Sequence, residues 1–210
     1  MLRHSLLALP AAAFLSLPAF VRPATEASTQ QFAEVLDVAD RAFSNKDYLT
    51  SVESLQQGIR IANATLREAL LAAMPVPPDG FVELDRTPPQ IAPNDPIAAA
   101  LSLRTNAPVV LQYRARQDNA ALRVLIAPRS PTVGAVARSI ALASEDPASE
   151  LVTIGPRVGV VRQLTASFTI RFALDSVHLV ELAGHGIDPK VALMRFDEAF
   201  FDRLSKILGG

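Results

Sequence analysis

Two histidines and a nearby aspartate are the side chains best suited to hold a metal ion. They are His178, His185 and Asp188, and imidazole nitrogen and carboxylate oxygen both bind zinc or copper. A minimal site needs three or four converging ligands, however. His178 shares one face of a strand-like segment with Val180, and His185 lies between two glycines in a turn-like segment. The pattern favours a core histidine and a turn histidine, so we expect no metal and no cofactor.

Ser167, Asp175 and His178 supply the three groups of a serine hydrolase. The chain has no Gly-x-Ser-x-Gly elbow, no His-Glu-x-x-His helix and no glycine-rich phosphate loop. It also has no cysteine, which excludes disulfides, zinc-thiolate sites and a cysteine nucleophile. The sequence therefore predicts a protein that is not an enzyme.

Arginines form the main polar pattern of the chain. Arg114 and Arg116 fall on one face of a predicted strand, and Arg123 or Arg171 joins them if neighbouring strands lie alongside. Guanidinium groups bind carboxylate or phosphate through two parallel hydrogen bonds. The row therefore indicates either a site for an anionic ligand or acidic partner, or the solvated face of a half-buried sheet, and the alternation favours the second reading.

Phenylalanines offer a second ligand-binding hypothesis. Phe168 and Phe172 share a face of one predicted strand, while Phe196 and Phe200 lie on the predicted closing helix. A sheet and a helix layer can leave a pocket lined by such rings. A periplasmic carrier of a small apolar or anionic ligand is therefore the alternative function.

Two amphipathic helices precede these segments. The first begins near Phe32, Asp47 can cap the second, and the second ends by Met74 because prolines follow. A short connection makes them an antiparallel hairpin over residues 28–75. Ala39, Ala42 and the following helix also resemble one tetratricopeptide unit, but one unit is too few for a repeat array. The second helix carries a narrow apolar seam of the type used between two packed helices, at Val52, Leu55, Ile59, Ala62, Leu66 and Leu70.

The hairpin has three further apolar residues outside the surface that one packed helix would cover, namely Tyr48, Leu49 and Leu71. Apolar surface of this kind is typical of protein-binding sites. Our leading hypothesis is a non-catalytic accessory module that docks an unidentified periplasmic protein through the hairpin.

Residues 76–210 predict one α+β domain, an antiparallel sheet flanked by helices. Alternation and turn signals predict seven strands at 81–84, 109–116, 122–127, 151–154, 158–162, 168–174 and 177–182. Helices are predicted at 97–101 and 132–143, and a closing helical segment begins at Asp188-Pro189.

Residues 1–27 predict a secretory signal peptide. A positive start at Arg3 and His4 precedes an apolar run over 5–21 that Pro10 and Pro18 interrupt, with a cleavage pattern ending at Ala27. The run is short for a membrane span, which is the alternative reading. We expect a periplasmic product with no span after cleavage. With 20 basic and 21 acidic residues, the chain lacks the charge excess that general nucleic-acid binding requires.

The order of these elements resembles a group of uncharacterised exported bacterial proteins. The resemblance is carried by Asp47-Tyr48, the seam ending near Met74, Pro77-Pro78-Asp79-Gly80 with an aromatic Phe81 after it, the hairpin 113–127 with Ser130-Pro131, and the segment 184–196. The sheet part is similar to the PsbP-like fold. The resemblance implies a helical hairpin ahead of an antiparallel sheet and brings no activity with it.

Overall fold

The computed structural model describes residues 26–84 and 108–209. Its helices are α1 (Glu26–Ser44), α2 (Tyr48–Ala73), α3 (Val133–Ala141), α4 (Pro189–Leu193) and α5 (Glu198–Leu208). Its strands are β1 (Phe81–Glu83), β2 (Val109–Ala115), β3 (Ala121–Ala127), β4 (Ser149–Ile154), β5 (Arg157–Gln163), β6 (Ser167–Leu174) and β7 (His178–His185). The helix predicted at 97–101 and most of the predicted signal peptide lie outside the described residues.

The strands form one seven-stranded antiparallel sheet in the order β1-β2-β3-β7-β6-β5-β4. The predicted α+β class, a helical pair with an antiparallel sheet and helices, is confirmed. The last strand, β7, lies in the middle of the sheet and pairs with β3 on one side and β6 on the other. Because the pairing of β3 with β7 joins segments that are distant in sequence, no local sequence pattern predicts it.

The inner face of the sheet is packed against α5 and the end of α2. Alternate residues of β2, β3 and β6 point into this core, as their burial pattern shows. The central strand β7 is buried along most of its length, and its Val180 and Leu182 belong to the same core. The largest side chains buried in it are Leu70, Leu111, Tyr113, Leu122, Ile126, Ile170, Phe172, Leu174, Leu182, Phe196, Phe200 and Phe201. One continuous apolar core therefore unites the sheet with the closing helix and with the helical hairpin.

Two glycines of the sheet lie directly opposite phenylalanines. Gly184 pairs with Phe168 and Gly159 pairs with Phe172. A Cβ at Gly159 would lie 2.6 Å from the Phe172 ring, and a Cβ at Gly184 would overlap the Phe168 ring. Each ring thus lies over the bare backbone of a neighbouring strand, an arrangement that compensates for glycine in a sheet.

The outer face of the sheet is only partly covered. Val133 and Val136 of α3 pack on Leu179, with Leu125 and Ala173 beside them. Beyond α3 the outer face carries polar and charged side chains, and its central row runs Gln112, Arg123, Ala183, Thr169, Arg162 and Ser149 across the strands.

The helical hairpin consists of α1 and α2. Asp47 caps α2 by accepting a hydrogen bond of 3.2 Å from the Thr50 amide, and the Ser51 hydroxyl donates to the Ala39 carbonyl at 3.0 Å. At the other end of α2, Leu70 belongs to the main core. The Tyr113 hydroxyl donates to the Pro75 carbonyl at 2.8 Å. The hairpin is therefore attached to the sheet through the C-terminal part of α2.

The closing segment is two helices, where the sequence predicts one. Asp188 caps α4 by accepting from the Lys190 amide at 2.7 Å, and Asp197 caps α5 by accepting from the Phe200 amide at 2.8 Å. Because the backbone of Asp197 is extended, the helix cannot continue through this residue, and α5 begins after it. The first helix of the hairpin also begins earlier than predicted, at Glu26.

Candidate functional site

The three groups of the hypothetical hydrolase triad are not assembled. Ser167 begins β6 and pairs with His185, whereas His178 pairs with Leu174 at the other end of the same two strands. Seven strand steps of about 3.3 Å separate these ends by roughly 23 Å. Asp175 lies in the turn beside His178. Ser167 is thus too far from His178 for proton transfer.

His178 is placed as a buried structural histidine. Its side chain is enclosed at the end of β7, and its Nδ1 accepts a hydrogen bond of 3.1 Å from the Arg129 amide. Burial lowers the pKa of His178 below its ordinary value. Nδ1 can accept this hydrogen bond only when it carries no proton, so the contact also requires the neutral form of the ring. The contact thus fixes the loop at Arg129, whose φ of 47° is left-handed.

His178 and His185 lie at opposite ends of β7 and cannot share a metal ion. Within residues 26–84 and 108–209, no group of three or more histidine, aspartate or glutamate side chains is close enough to hold one.

The outer face of the sheet brings two arginines to one buried carboxylate. Arg123 donates from an Nη to Glu181 Oε1 at 2.9 Å, and Arg171 donates from Nε to Glu181 Oε2 at 2.8 Å. The Glu181 side chain is 11% exposed, and each arginine side chain is about half exposed. The carboxylate therefore holds both guanidinium groups in place on the open face.

The predicted arginine row is only partly formed. Arg171 and Arg123 meet at Glu181, but Arg114 lies opposite Val82 and Ala121, and Arg116 follows the end of β2, where its amide donates to the Gly80 carbonyl. Sequence reasoning missed Glu181. The available signal was a single charged residue inside the otherwise apolar stretch of β7.

Phe168 and Phe172, predicted to line a ligand pocket, are core residues that are 3% and 1% exposed. The Phe172 and Phe201 ring centroids are 4.8 Å apart. Phe196 and Phe200 make a similar edge-to-face contact at 5.1 Å. The rings themselves fill the space between the sheet and α5, so an apolar ligand would have to displace core side chains.

An apolar stripe runs along the N-terminal half of α2. It consists of Tyr48, Val52, Leu55 and Ile59, which are 57%, 50%, 47% and 36% exposed. Their spacing of four, three and four residues is that of the a and d positions of a heptad. The same spacing continues through Ala62 and Leu66 to the buried C-terminal part of the helix.

Helix α1 packs against a different face of α2. That face is formed by small or medium residues, including Ser51, Ser54 and Gly58. A Cβ at Gly58 would lie 3.4 Å from the Phe32 ring, which shows how closely the helices approach. The prediction that the apolar seam packs between the two helices of the hairpin is therefore wrong for the N-terminal half of α2, where α1 lies against Ser51 and Gly58 and leaves Val52, Leu55 and Ile59 exposed.

Exposed residues of α1 extend the apolar stripe. Leu36 and Phe43 are 39% and 62% exposed, and the Phe43 ring contacts Tyr48 edge-on at a centroid distance of 5.5 Å. Of the predicted partner-binding residues, Tyr48 is in the stripe and Leu49 is exposed beside it, at 70%. Leu71 is partly buried and packs against the core, away from the stripe.

No protein-family model, curated protein or solved structure matches this chain. Within the described residues, the two surfaces with a distinctive composition are the arginines around Glu181 and the apolar stripe of the hairpin.

None of the helices within the described residues combines the length and the apolar character that crossing a membrane requires.

Proposed function

We propose that this protein is a non-catalytic protein-binding module whose helical hairpin docks an amphipathic helix of another protein along the apolar stripe. One observation carries the proposal. The apolar face of α2 is buried by the sheet domain at Leu70 and Ala73 and stays bare at Val52, Leu55 and Ile59.

The heptad spacing of the stripe defines the kind of partner. Side chains every 3.5 residues present a straight seam to a second helix, whose own side chains fit between them. Each apolar side chain that becomes fully buried contributes about 1.5–3 kcal/mol. Four such side chains, with Phe43 and Leu36 at the edge, make a compact central patch of the kind that dominates helix-in-groove recognition.

Charge decides between a foreign helix and a second copy of the chain. Residues 30–60 carry acidic side chains at Glu34, Asp37, Asp40, Asp47 and Glu53, against Arg41, Lys46 and Arg60. Arg41 is bonded to Asp37 at 2.6 Å, which neutralises one pair. Two such acidic hairpins repel each other, whereas basic residues flanking the apolar positions of a partner helix complement them.

Export to the periplasm belongs to the same proposal and is supported by the leader pattern in residues 1–27. Cleavage after Ala27 would leave Ser28 as the first residue and would remove the first two residues of α1. N-terminal sequencing of the protein purified from its native cells should give Ser28. A start at Met1 would contradict cleavage of the leader.

Site-specific photocrosslinking of the full chain in the cell tests the docking surface. A photoreactive side chain is placed in turn at Val52, Leu55 and Ile59, and at Glu53 and Arg60 as exposed positions off the stripe of the same helix. We expect adducts at the three stripe positions and few at the other two. Mass spectrometry should map the adducts to one amphipathic partner helix with basic flanks.

Substitution supplies the matched comparison. Leu55→Glu combined with Ile59→Glu should abolish the adduct formed at Val52 while the protein stays folded, because both residues are exposed. Met194→Glu, at an exposed apolar residue of the sheet domain, is the control and should leave the adduct unchanged. Adducts with a second copy of the chain, equal adducts on and off the stripe, or none at all would refute the proposal.

A further inference from the structure

A groove of about 730 Å³ lies between α3 and the outer face of the sheet at β5 and β6. This volume is within the range of small-molecule binding sites, about 300–1,000 Å³. The groove is independent of the hairpin and of the apolar stripe. It is also distinct from the predicted site at Phe168 and Phe172, which belong to the opposite face of the sheet.

Three arginines from three different elements line the groove. Arg138 comes from α3, Arg162 from β5 and Arg171 from β6. Arg171 is held by its Nε contact with Glu181, and a guanidinium has further N–H donors on its two Nη nitrogens. A carboxylate behind an arginine fixes its orientation before any ligand arrives, which lowers the ordering cost of binding.

Hydrogen-bonding groups lie beside the central arginine. In the sheet register Arg162 lies between Ser149 of β4 and Thr169 of β6, and all three residues line the groove. The Ser149 hydroxyl donates to Asp146 at 2.7 Å. This leaves the Thr169 hydroxyl as the side-chain donor nearest to Arg162 in the sheet.

Charges in and around the groove do not balance. Arg138, Arg162, Arg171 and one carboxylate, Asp146, line the groove. Outside the lining, Arg123 and Glu181 add one positive and one negative charge. The Ser149 hydroxyl and the Ala148 amide hold the pKa of Asp146 below its ordinary range, so this carboxylate stays ionised. The formal excess is two positive charges, which one dianion would neutralise.

The rest of the lining is apolar. Leu142, at the end of α3, and Leu164, after β5, are 53% and 62% exposed, and Val160 forms part of the floor. Such a lining suits a hydrocarbon portion attached to the anionic group. The geometry points to a binding site for a small amphiphilic dianion, with its phosphate or paired carboxylates on Arg138, Arg162 and Arg171 and its apolar part against Leu142 and Leu164.

Isothermal titration calorimetry of the full chain tests this site with defined probes. Hexyl phosphate and hexylsuccinate, both dianions with an apolar tail, distinguish the phosphate source from the dicarboxylate source. We expect saturable one-to-one binding of at least one of them. Hexanol and inorganic phosphate each lack one half of the recognised chemistry and should bind at least about tenfold more weakly.

Variants locate the binding. Arg162→Gln and, separately, Arg138→Gln should each lower the affinity for the dianion by about tenfold or more, because each removes a charge-assisted hydrogen bond. Arg116→Gln changes the net charge equally but lies outside the groove, and it should leave the affinity unchanged. The hairpin variant Leu55→Glu should also bind normally, so the failure of one proposal does not imply the failure of the other.

Three results would overturn the site. They are no saturable binding of either dianion, equal weakening by Arg116→Gln, and hexanol binding as tightly as the dianions. The thermal unfolding of each variant is measured alongside, and Arg138→Gln keeps the test valid if Arg162→Gln does not fold.

Discussion

The two halves of α2 have the same apolar spacing and opposite surroundings. In the C-terminal half, Leu70 is fully buried and Leu66 packs against the core. In the N-terminal half, Leu55 and Val52 are about half exposed. The contrast shows that one heptad pattern can run through a buried and an exposed helix face, and that only the tertiary structure distinguishes the two.

The largest difference between the halves should come from truncating one leucine in each. Leu70→Ala removes fully buried atoms and should lower the free energy of unfolding by about 2–5 kcal/mol. Leu55→Ala should change it by no more than about 0.5 kcal/mol because its side chain is exposed. Chemical denaturation of both variants measures this, and equal losses would mean that the N-terminal half is also covered.

Glycines sharpen the contrast between the sheet domain and the hairpin. Gly184→Ala places a methyl group into the ring of Phe168, in a core with no room for it. Overpacking of this kind should destabilise the protein by about 1–3 kcal/mol. Thermal or denaturant unfolding measures the loss, and a neutral effect would show that the Phe168 ring is not fixed over the strand.

Gly58→Ala, in the hairpin, should act in the opposite direction. The added methyl group would meet Phe32 at 3.4 Å, an ordinary contact, and alanine gains about 0.5–1 kcal/mol over glycine inside a helix. We expect slower amide hydrogen exchange in α1 and α2. Faster exchange would show that the two helices approach more closely than the structure indicates.

The smallest predicted effect is a pH dependence of the free energy of unfolding, and it originates in the sheet domain, at His178. Because burial lowers the pKa of His178, the unfolded chain takes up a proton at a higher pH than the folded protein does. The stability that His178 contributes is complete above its ordinary value of 6.5 and is lost as the pH falls from there towards the lowered pKa.

Unfolding midpoints measured from about pH 7 to about pH 5 test this effect. The variant His178→Asn should show a flatter profile than the parent over this range. Identical slopes would show that His178 stays neutral, or protonates without cost, in the folded state.

Much of the fold follows from local signals in the sequence. Alternation identified the strands, Asp47 identified the start of α2, and the prolines after Met74 identified its end. Those signals are local because hydrogen bonds and side-chain periodicity act within a few residues. The pairing of β3 with β7 was not predictable in this way, since it depends on contacts between distant segments.

The candidate sites were less predictable. Tyr48 and Leu49 were identified as apolar residues outside the surface that one packed helix would cover. The structure places both at the surface. The groove that we propose as a dianion site is lined by Arg138 of α3 and Arg162 of β5. Neither residue is distinguished in the sequence, because only the tertiary fold brings helix and strand together.

The central position of β7 has a consequence for the order in which the chain completes its fold. Without residues 178–185, the sheet would be divided into two three-stranded units, β1–β3 and β4–β6, which pair with each other only through β7. One late segment joins both units and then supplies the helix that seals their apolar side. A shortened chain that ends before His178 would therefore leave the backbone hydrogen-bonding groups along one side of β3 and one side of β6 unpaired, and such strand edges promote aggregation.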